Sequence, residues 1–466
     1  MSRPPPAAIL GSMRPDGSRV VVHPADVRGR WIRWRRWVFA LLVAIYAGMP
    51  LIPIGGHPSI QLDVEHRRFY LLGSTFNAQD FWIVVLISLA FVFGLLLLTA
   101  WRGRVWCGWA CPQTVFLEGV YRTIERWIDG PRERRLKTAR EPWTARRILR
   151  WAIKQAIFLA ASLNIAHAAA AIFVGPRELL MMIREGPSAH WTAFSLVMGF
   201  TAILTINFAW FREQFCVVLC PYGRLQSVFH DRDSVTVAYD EPRGEPRGKI
   251  SKRPTTELLG DCVDCRRCVV VCPTAIDIRG GLQMECLACL QCVDACDEVM
   301  ERVGRRKGLI GLYSQSQLAT GRRRTLRPRL AIYGALFLLT AGALAASFLA
   351  RTPFEANILR PRGAMPFVVD GDEVRNAFEI HLVNKHPESA TFRIRVESPV
   401  EAEVVIGTPQ VTLASLADAH VPISVSIARD HLDRPVELTV EIEDAAAGTT
   451  TQKPYRFLAP FAVHDD

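Results

Sequence analysis

The sequence has no cysteine outside four short clusters, and it has none at all after Cys296. All twelve cysteines lie in these clusters, so none is left over to close a loop through a disulfide bond. Clustered cysteines without a bridging partner favour metal binding in a reducing compartment. The sequence also lacks a G-x-G-x-x-G motif after a strand and any other nucleotide or flavin motif, which argues against a nucleotide cofactor site.

Composition indicates membrane segments and an uneven distribution of charge. Half of the 466 residues are hydrophobic, a high share for a wholly soluble protein. The net charge is +11, yet the part after Thr352 holds ten Lys and Arg against eighteen Asp and Glu. An acidic C-terminal part and a basic remainder predict two compartments. The basic residues sit beside apolar runs rather than among interleaved aromatics, so we expect no nucleic-acid partner.

Five apolar runs are long enough to cross a hydrocarbon core of about 30 Å. They predict an α-helical transmembrane bundle of five helices. Because five is an odd number, the two termini are expected on opposite sides of the membrane. The runs are roughly residues 37–54, 81–101, 152–174, 191–211 and 330–350.

The loops between these runs differ in positive charge. Residues 1–36, 102–150 and 212–329 are rich in Lys and Arg. Loops 55–80 and 175–190 hold only two arginines each. The positive-inside rule then predicts a multi-pass protein of the bacterial inner membrane, with a cytoplasmic N-terminus and a periplasmic C-terminal domain. No small-x-small cleavage pattern follows the first run, so we expect an uncleaved anchor rather than a signal peptide.

Beyond Arg351, apolar and polar residues alternate in short runs separated by Pro, Gly and Asp. A period of two is typical of half-buried strands. About seven such runs in roughly 110 residues predict an all-β immunoglobulin-like sandwich, here without the disulfide of antibody domains. The alternating apolar positions are Phe378, Ile380 and Leu382; Phe392, Ile394 and Val396; Val421, Ile423, Val425 and Ile427; and Val436, Leu438, Val440 and Ile442.

Eight cysteines form two copies of the spacing C-x2-C-x2-C-x3-C, the first followed by Pro273 and the second by Asp297. In two-cluster ferredoxins the fourth cysteine of such a run binds the neighbouring cluster. Zinc is disfavoured, because a four-thiolate zinc site has no use for a third cysteine at this spacing. The spacing therefore predicts two [4Fe-4S] clusters with crossed ligands in a ferredoxin-like insert. Cluster 1 is expected on Cys262, Cys265, Cys268 and Cys296, and cluster 2 on Cys272, Cys286, Cys289 and Cys292.

The other four cysteines form two C-x3-C-P pairs, Cys107 with Cys111 and Cys216 with Cys220. An i, i+4 spacing places both sulfurs on one face of a helical turn. Each pair follows an inward-running span, so both are expected at the cytoplasmic membrane surface, where basic loops should favour the thiolate. The pairs can converge on one metal ion or on a further iron–sulfur cluster, or they can be ordinary buried cysteines.

Three stretches make the sequence recognisable: Arg104-Val-Trp-Cys-Gly-Trp-Ala-Cys-Pro-Gln-Thr, Arg212-Glu-Gln-Phe-Cys-Val-Val-Leu-Cys-Pro-Tyr-Gly-Arg, and Gly260 through Asp297. They closely resemble the FixG/CcoG/RdxA family of cytochrome c oxidase accessory proteins. The segment from Gly56 to Tyr70 is also of that family's type.

The resemblance implies an inner-membrane polyferredoxin with a C-terminal immunoglobulin-like domain. It also implies a cupric reductase that serves assembly of cbb-type oxidase, with oxidase assembly and copper transport proteins as partners. Thiolates favour Cu(I), so a thiolate site near a low-potential cluster would favour reduction of Cu(II). We accordingly expect the four C-x3-C-P cysteines to handle substrate copper or to pass it the last electron, with an external donor reloading the clusters.

Histidines give weaker signals. His167 and Asn164 lie inside the third run, where a polar residue is either functional or a helix–helix contact. His57, His66 and His190, with Met49, Met181 and Met182, are expected on the outer side, where an outer copper contact is one interpretation and exposed loop residues the other. The histidines of the sandwich are expected at its surface. These are His381, His386, His420 and His431.

The predicted domains are residues 1–36 (cytoplasmic basic segment), 37–249 (four helices with the cysteine pairs), 250–328 (two-cluster domain), 329–351 (fifth helix) and 352–466 (periplasmic sandwich). Two other functions compete with a cupric reductase. One is a quinol-linked electron-transfer subunit of a respiratory reductase system, since such subunits share paired C-x3-C-P motifs. The other is a non-enzymatic scaffold for oxidase assembly.

Overall fold

The structure is a computed structural model, and it divides the chain into two compact units, Met1–Ala345 and Ala346–Asp466. The first unit holds the apolar helices and all twelve cysteines, and the second holds the β-sandwich. The residues described are 21–54, 57–64, 68–76, 80–249, 259–322, 324, 327–350, 352, 354–361, 363, 365–386, 388–415, 417–432 and 435–459.

Four helices in the described part of the chain are long and apolar enough to cross a membrane. They correspond to the last four predicted runs. In the first and last of these helices only 6% of the most apolar window is buried within the protein, as expected for side chains that face lipid. The four are α2 (Phe81–Arg102), α7 (Ala145–Val174), α9 (Trp191–Ile206) with its π-helical extension Asn207–Phe211, and α15 (Pro328–Leu349).

The first predicted run differs from the expectation. Helix α1 (Arg30–Gly48) begins before that run and ends inside it, followed by a 3-10 turn at Met49–Leu51. Pro50 and Pro53 cannot donate a backbone hydrogen bond, so the helix cannot continue through them. The N-terminal half of α1 also carries four arginines, and α1 is not among the four membrane-length helices. The run therefore does not form one continuous helix over residues 37–54.

Short elements connect the long helices of the first unit. Between α1 and α2 lie the paired strands β1 and β2 and the antiparallel meander β3–β5. These strands are β1 (Pro53–Ile54), β2 (His57–Pro58), β3 (Ile60–Asp63), β4 (Arg68–Leu71) and β5 (Ser74–Phe76). The helices are α3 (Val105–Trp109), α4 (Pro112–Phe116), a π-helical turn (Leu117–Tyr121), α5 (Arg122–Asp129), α6 (Arg132–Arg140), α8 (Pro176–Glu185), a second π-helical turn (Phe215–Leu219) and α10 (Pro221–Phe229).

The cysteine-rich insert is closed by an antiparallel strand pair, β6 (Thr236–Tyr239) with β7 (Ile310–Tyr313). Between them lie α11 (Glu241–Gly244), α12 (Arg267–Val270), a 3-10 turn (Ile278–Gly280) and α13 (Gln291–Arg302). Helix α14 (Gln315–Thr320) follows the pair. We call residues 236–313 the cluster domain, because the strand pairing begins upstream of the expected boundary at 250. Residues 250–258 lie outside the described part. The core of this domain is small and includes several of the cysteines themselves.

The second unit is a two-sheet sandwich. One sheet has the strand order β12-β14-β10-β8, with β9 also paired to β10, and the other has the order β13-β11-β15-β16. All but one of the apolar positions predicted from alternation are buried in its core, and Val396 packs against that core. The strands are β8 (Phe354–Leu359), β9 (Val368–Asp370), β10 (Glu373–Asn384), β11 (Ala390–Glu397), β12 (Glu403–Ile406), β13 (Gln410–Leu413), β14 (Asp418–Ala428), β15 (Glu437–Asp444) and β16 (Thr450–Arg456).

Candidate metal centre

Both C-x3-C-P pairs have the same local structure. The first cysteine of each pair, Cys107 or Cys216, lies in a short helical turn, α3 or the π-helical turn Phe215–Leu219. The second, Cys111 or Cys220, has an extended backbone and precedes the proline that begins α4 or α10. Proline fits the first position of a helix and forces the residue before it out of the helical region. The spacing alone predicts both sulfurs of a pair on one face of a helical turn. The structure differs, because the helical turn ends between the two cysteines of each pair.

The two pairs nevertheless come together. Cys216 interacts electrostatically with Cys111, Cys107 and Cys220, in that order of strength, and Cys111 also interacts with Cys220. We call these four side chains the four-thiol group. They follow two different apolar helices, α2 and α9, so the fold brings together residues more than a hundred positions apart in sequence.

Protonation of the four-thiol group departs from the expectation that basic loops would produce thiolates. Burial raises the pKa of Cys107 to about 11 and that of Cys216 to about 12. Arg104 lowers both values, but it does not outweigh burial. Without a bound metal, the Cys107 and Cys216 side chains are therefore neutral thiols at pH 7. Metal binding would release their protons.

The eight remaining cysteines separate into the two crossed groups. Cys272 interacts electrostatically with Cys286, Cys289 and Cys292, and these four line one small cavity together with Cys268. The thiol of Cys296 interacts instead with cysteines of the first repeat. A second cavity is lined by Cys262, Cys265, Cys268 and Cys296. In each case three thiols of one repeat meet the last thiol of the other.

The two repeats also share an unusual backbone. Asp264 and Arg266 in the first repeat have positive φ angles of 46° and 53°, and Ala288 and Leu290 at the equivalent positions of the second have 50° and 62°. This left-handed conformation is costly for residues other than glycine and persists where the surroundings enforce it. Two loops with the same strained positions present their thiols in the same way, as two similar clusters require.

The spacing of the sulfurs distinguishes a cluster from a single ion. With metal–sulfur bonds of about 2.3 Å, thiolates on one ion lie roughly 4 Å apart. In the described residues, which include all twelve cysteines, no three cysteine sulfurs lie within 4.8 Å of one another. Thiolates bound to different irons of a cubane stand further apart. In the described residues no three cysteine sulfurs are thus already arranged around a single zinc or copper ion.

The first cysteine pair lies directly against the second repeat of the cluster domain. A Cβ added at Gly108 would lie 2.2 Å from the carbonyl oxygen of Leu287, so only glycine allows this approach. Trp109 donates from Nε1 to the carbonyl of Ala288 at 3.2 Å, and Arg35 donates from Nε to the carbonyl of Gly108 at 2.8 Å. The loop that carries Cys107 thus touches the loop between Cys286 and Cys289.

Buried ion pairs hold the cysteine-bearing segments together. Arg122 pairs with Glu118 and, at 3.2 Å, with Glu213, and it also donates to the carbonyl of Pro273. Arg212 pairs with Glu125. Burial acts to raise the pKa of Glu125, but Arg212, Lys154 and Arg122 together outweigh it and lower the pKa, so this carboxylate stays charged. Removing one partner of a buried pair is costly, and these contacts connect α5, the second cysteine pair and the residue after Cys272.

Comparison with known proteins finds family matches for three parts of the chain. Family models described as a 4Fe-4S dicluster domain and a 4Fe-4S binding domain match residues 211–315 and 83–134. A third, described as the immunoglobulin-like fold at the C-terminus of FixG, matches residues 344–460. The chain is 33% identical to Protein RdxA of Cereibacter sphaeroides over 393 residues, which is 81% of this chain and 82% of RdxA. The chain belongs to the FixG/RdxA family.

A second relative in sequence supports the same assignment. The nitrogen fixation protein FixG of Rhizobium meliloti is 32% identical over 418 residues, covering 81% of this chain and 79% of FixG. A solved FixG-related protein from Vibrio parahaemolyticus aligns with 24% of this chain over its whole length, with 17% identity and a TM-score of 0.22. As a FixG/RdxA-family protein with 4Fe-4S domains and four membrane-length helices, the chain is an iron–sulfur electron-transfer protein.

Among the described residues of the first unit, the candidate histidines do not come together into a metal-binding group. His167 contacts the carbonyl of Leu163 in its own helix at 2.8 Å, and Asn164 is exposed instead of facing the bundle interior. His57 stacks on Tyr70, and His190 pairs with Glu185 at 2.6 Å. Met49 lies in a 3-10 turn and Met181 and Met182 lie in α8; His66 is outside the described residues.

Sequence reasoning missed two sets of residues in this FixG/RdxA-family chain. The first set forms buried ion pairs in the structure, but in the sequence these residues look like ordinary charged residues of basic loops. They are Arg122, Glu125, Arg212 and Glu213. The helical spacing of Arg122 and Glu125 beside Ile124 was an available signal. The second set is a histidine–carboxylate cluster on the sandwich, formed by His381, Asp418 and His420.

Proposed function

We propose that this protein is a cupric reductase of the bacterial inner membrane that supplies Cu(I) for assembly of cbb-type cytochrome c oxidase. The observation that carries the proposal is the convergence of the four C-x3-C-P thiols, with the first pair in contact with the loop between Cys286 and Cys289. Thiolate ligands favour Cu(I) over Cu(II), so a reducing thiolate site suits this substrate. The role in oxidase assembly, and oxidase assembly and copper transport proteins as partners, rest on the family resemblance.

Two [4Fe-4S] clusters, bound by the crossed cysteine groups, would supply one-electron transfer. The chain's own residues then have three tasks. Buried cysteine side chains exclude water from the bound groups, Gly108 keeps the first pair against the second repeat, and Arg122 and Arg212 neutralise the carboxylates buried nearby. In a second version of the proposal, the four thiols hold a third cluster instead of binding copper directly, and Cu(II) would take its electron from that cluster.

We further propose five membrane crossings with α1 as the first. Large apolar side chains at Trp34, Trp37, Leu41 and Ile45 are exposed along one side of α1, at the spacing of a lipid-facing helix stripe. Together with the positive-inside rule this puts the cluster domain in the cytoplasm and the sandwich in the periplasm. Activity of a cytoplasmic reporter fused after Asp466 would contradict this topology.

Paired cysteine variants test the function. We expect Cys107→Ser/Cys111→Ser and Cys216→Ser/Cys220→Ser each to abolish Cu(II) reduction by anaerobically reduced protein while the cluster-domain signals persist in EPR. The combination should be no worse than either pair, because groups that act as a unit are strongly non-additive. Val218→Ala, an exposed residue between Cys216 and Cys220, is the matched control.

Three outcomes decide between versions of the proposal. If the variant lacking all four thiols reduces Cu(II) at the wild-type rate, the reductase site is not the four-thiol group. If each pair variant loses about four irons per chain, the group binds a third cluster. Wild-type protein with normal iron content that reduces no Cu(II) in any preparation would favour the non-enzymatic scaffold.

A groove in the first unit favours a quinol-linked role as the second candidate. Its volume is about 590 Å³, and it lies between α1 and residues 118–127. Phe39, Val43 and Val120 line it together with Arg35 and Gln291, the neighbour of Cys292. Charged side chains such as Arg36 and Arg126 also line it, so the groove offers apolar surface for a quinol tail and polar groups for a head group. Oxidation of a soluble quinol by the oxidised protein, lost in Val43→Trp, would support this function.

A further inference from the structure

A compact group of nitrogen and oxygen ligands lies on the outward face of the sandwich. His381 of β10 and His420 of β14 are direct cross-strand partners, and their rings stack with centroids 4.5 Å apart. Asp418 lies two residues before His420, so it shares the same face of β14. Its Oδ2 is 3.0 Å from His381 Nε2. One ligand atom from each of the three side chains lies within 4.8 Å of the others.

A fourth side chain supports the arrangement from the same face. Glu379 precedes His381 by two residues, and its Oε1 lies 3.3 Å from His420 Nδ1. A carboxylate on one imidazole nitrogen fixes the ring and leaves the other nitrogen free to bind a metal, as is usual around metal-bound histidines. Glu379 thus orients His420 with Nε2 available.

These side chains do little for the fold. The Asp418 side chain is 54% exposed and that of His420 is 48% exposed. Exposed ion pairs contribute about 0–1 kcal/mol to stability, whereas the sandwich is held by its buried apolar core. The stability of the fold therefore does not explain why the imidazoles of His381 and His420 and the carboxylate of Asp418 lie so close together.

We propose that His381, His420 and Asp418 form a Cu(II)-binding site. Imidazole nitrogen and carboxylate oxygen are the donors that Cu(II) prefers, and Cu(II) binds such sites more tightly than the other common divalent first-row ions. With metal–nitrogen bonds of about 2.0 Å, the ligand atoms around one ion lie within about 4 Å of one another, so small side-chain rotations complete the site. The exposed side leaves room for water ligands. Binding here does not depend on the proposed reductase function, because the site lies wholly within the second unit.

The test uses full-length protein carrying Cys107→Ser, Cys111→Ser, Cys216→Ser and Cys220→Ser, so that the four-thiol group neither binds nor reduces the probe. One equivalent of Cu(II) is added, and EPR reports bound Cu(II) with nitrogen hyperfine structure from imidazole. We expect His381→Ala/His420→Ala to weaken binding at least about a hundredfold. Asp418→Asn, which keeps the side-chain shape, should weaken it about tenfold. His431→Ala, an exposed histidine of the same domain, should leave binding unchanged.

The outcomes separate cleanly. Absence of a stoichiometric imidazole-bound signal in the parent, or an unchanged signal in His381→Ala/His420→Ala with a normal melting temperature, would overturn the site. If the Asp418→Asn variant behaves like the parent, the carboxylate is not a ligand and the three-residue site is wrong. Failure of the reductase proposal would appear instead as absent Cu(II) reduction in protein with intact cysteines, whatever the histidines do.

Discussion

The two units of this chain are built on opposite chemistry. The first unit carries all twelve cysteines, and the core of its cluster domain includes thiols that serve as candidate ligands. The sandwich has no cysteine, and its core is a continuous apolar layer from Phe354 to Ala459. One region thus depends on bound metal for part of its interior, whereas the other buries enough apolar surface to fold around side chains alone.

The same contrast appears in how each unit presents metal ligands. In the first unit the candidate ligands are sulfurs, and eleven of the twelve are buried or half-buried, as suits a fixed cofactor. On the sandwich they are nitrogens and oxygens, exposed and close together, as an exchangeable single ion requires. Groups of thiols suit iron–sulfur clusters, whereas imidazole and carboxylate groups suit a single divalent ion, so the two units differ in the kind of metal group that their side chains fit.

Removal of iron should affect the two units most unequally. We expect oxidative chelation to lower amide protection within residues 262–296 by roughly a hundredfold, because metal binding and folding are coupled in small metal-bound domains. Amides of β10 and β14 should keep their protection, since their core contains no thiol. Hydrogen exchange with mass spectrometry measures both regions in one sample. Equal loss in both units, or no loss in either, would contradict the contrast.

A variant of the last cysteine of the first repeat should lose the cluster that the second repeat mainly binds. We expect Cys272→Ser to lose or alter the cluster of Cys286, Cys289 and Cys292, about four irons per chain, and to spare the other. Cys265→Ser is the matched control, because it belongs to the same repeat but to the other group. EPR of the two reduced variants should show complementary losses. Loss of one and the same signal in both variants would rule out crossed ligation.

Much of this organisation could be predicted from the sequence, because cysteine spacing and strand alternation are local patterns. The crossed cysteine groups and the core positions such as Phe378 and Ile442 are of this kind. The end of α1 was missed because hydropathy does not register that Pro50 lacks a donor. The His381–His420 pair was missed because cross-strand register, which makes them neighbours, depends on turns that spacing does not specify.

Adding a methyl group at Gly108 tests the contact between the first cysteine pair and the loop between Cys286 and Cys289. We expect Gly108→Ala to slow Cu(II) reduction about a hundredfold, because its Cβ would force the Leu287 backbone away and displace the first cysteine pair. Iron content should remain normal. Gly199→Ala in α9 is the control, since nothing lies within 4 Å of its added Cβ. Stopped-flow reduction by pre-reduced protein gives the rate, and a wild-type rate in Gly108→Ala would show that this contact is not used.

The smallest expected effect concerns how each unit stabilises a buried carboxylate. In the first unit Glu125 and Glu213 pair with arginines, whereas Asp444 of the sandwich accepts from the backbone amides of Ala446 and Ala447 at 3.0 and 3.2 Å. Burial acts to raise the pKa of Asp444, but these amides and His386 outweigh it, so the pKa is lowered.

A carboxylate whose pKa is lowered in the folded state stabilises that state above its unfolded pKa, about 3.9, and this stabilisation is lost as the pH falls through the folded value. We therefore expect Asp444→Asn to lower the free energy of unfolding of the sandwich by about 1.5 kcal/mol at pH 7, because Asn retains an acceptor but no charge. The difference from wild type should shrink as the pH is lowered below about 4. Urea-dependent hydrogen exchange at amides of β11 and β15 measures it, with the exposed Asp418→Asn as the control. A difference that is constant with pH would mean that the charge of Asp444 does not contribute, and that shape alone holds the 444–449 turn.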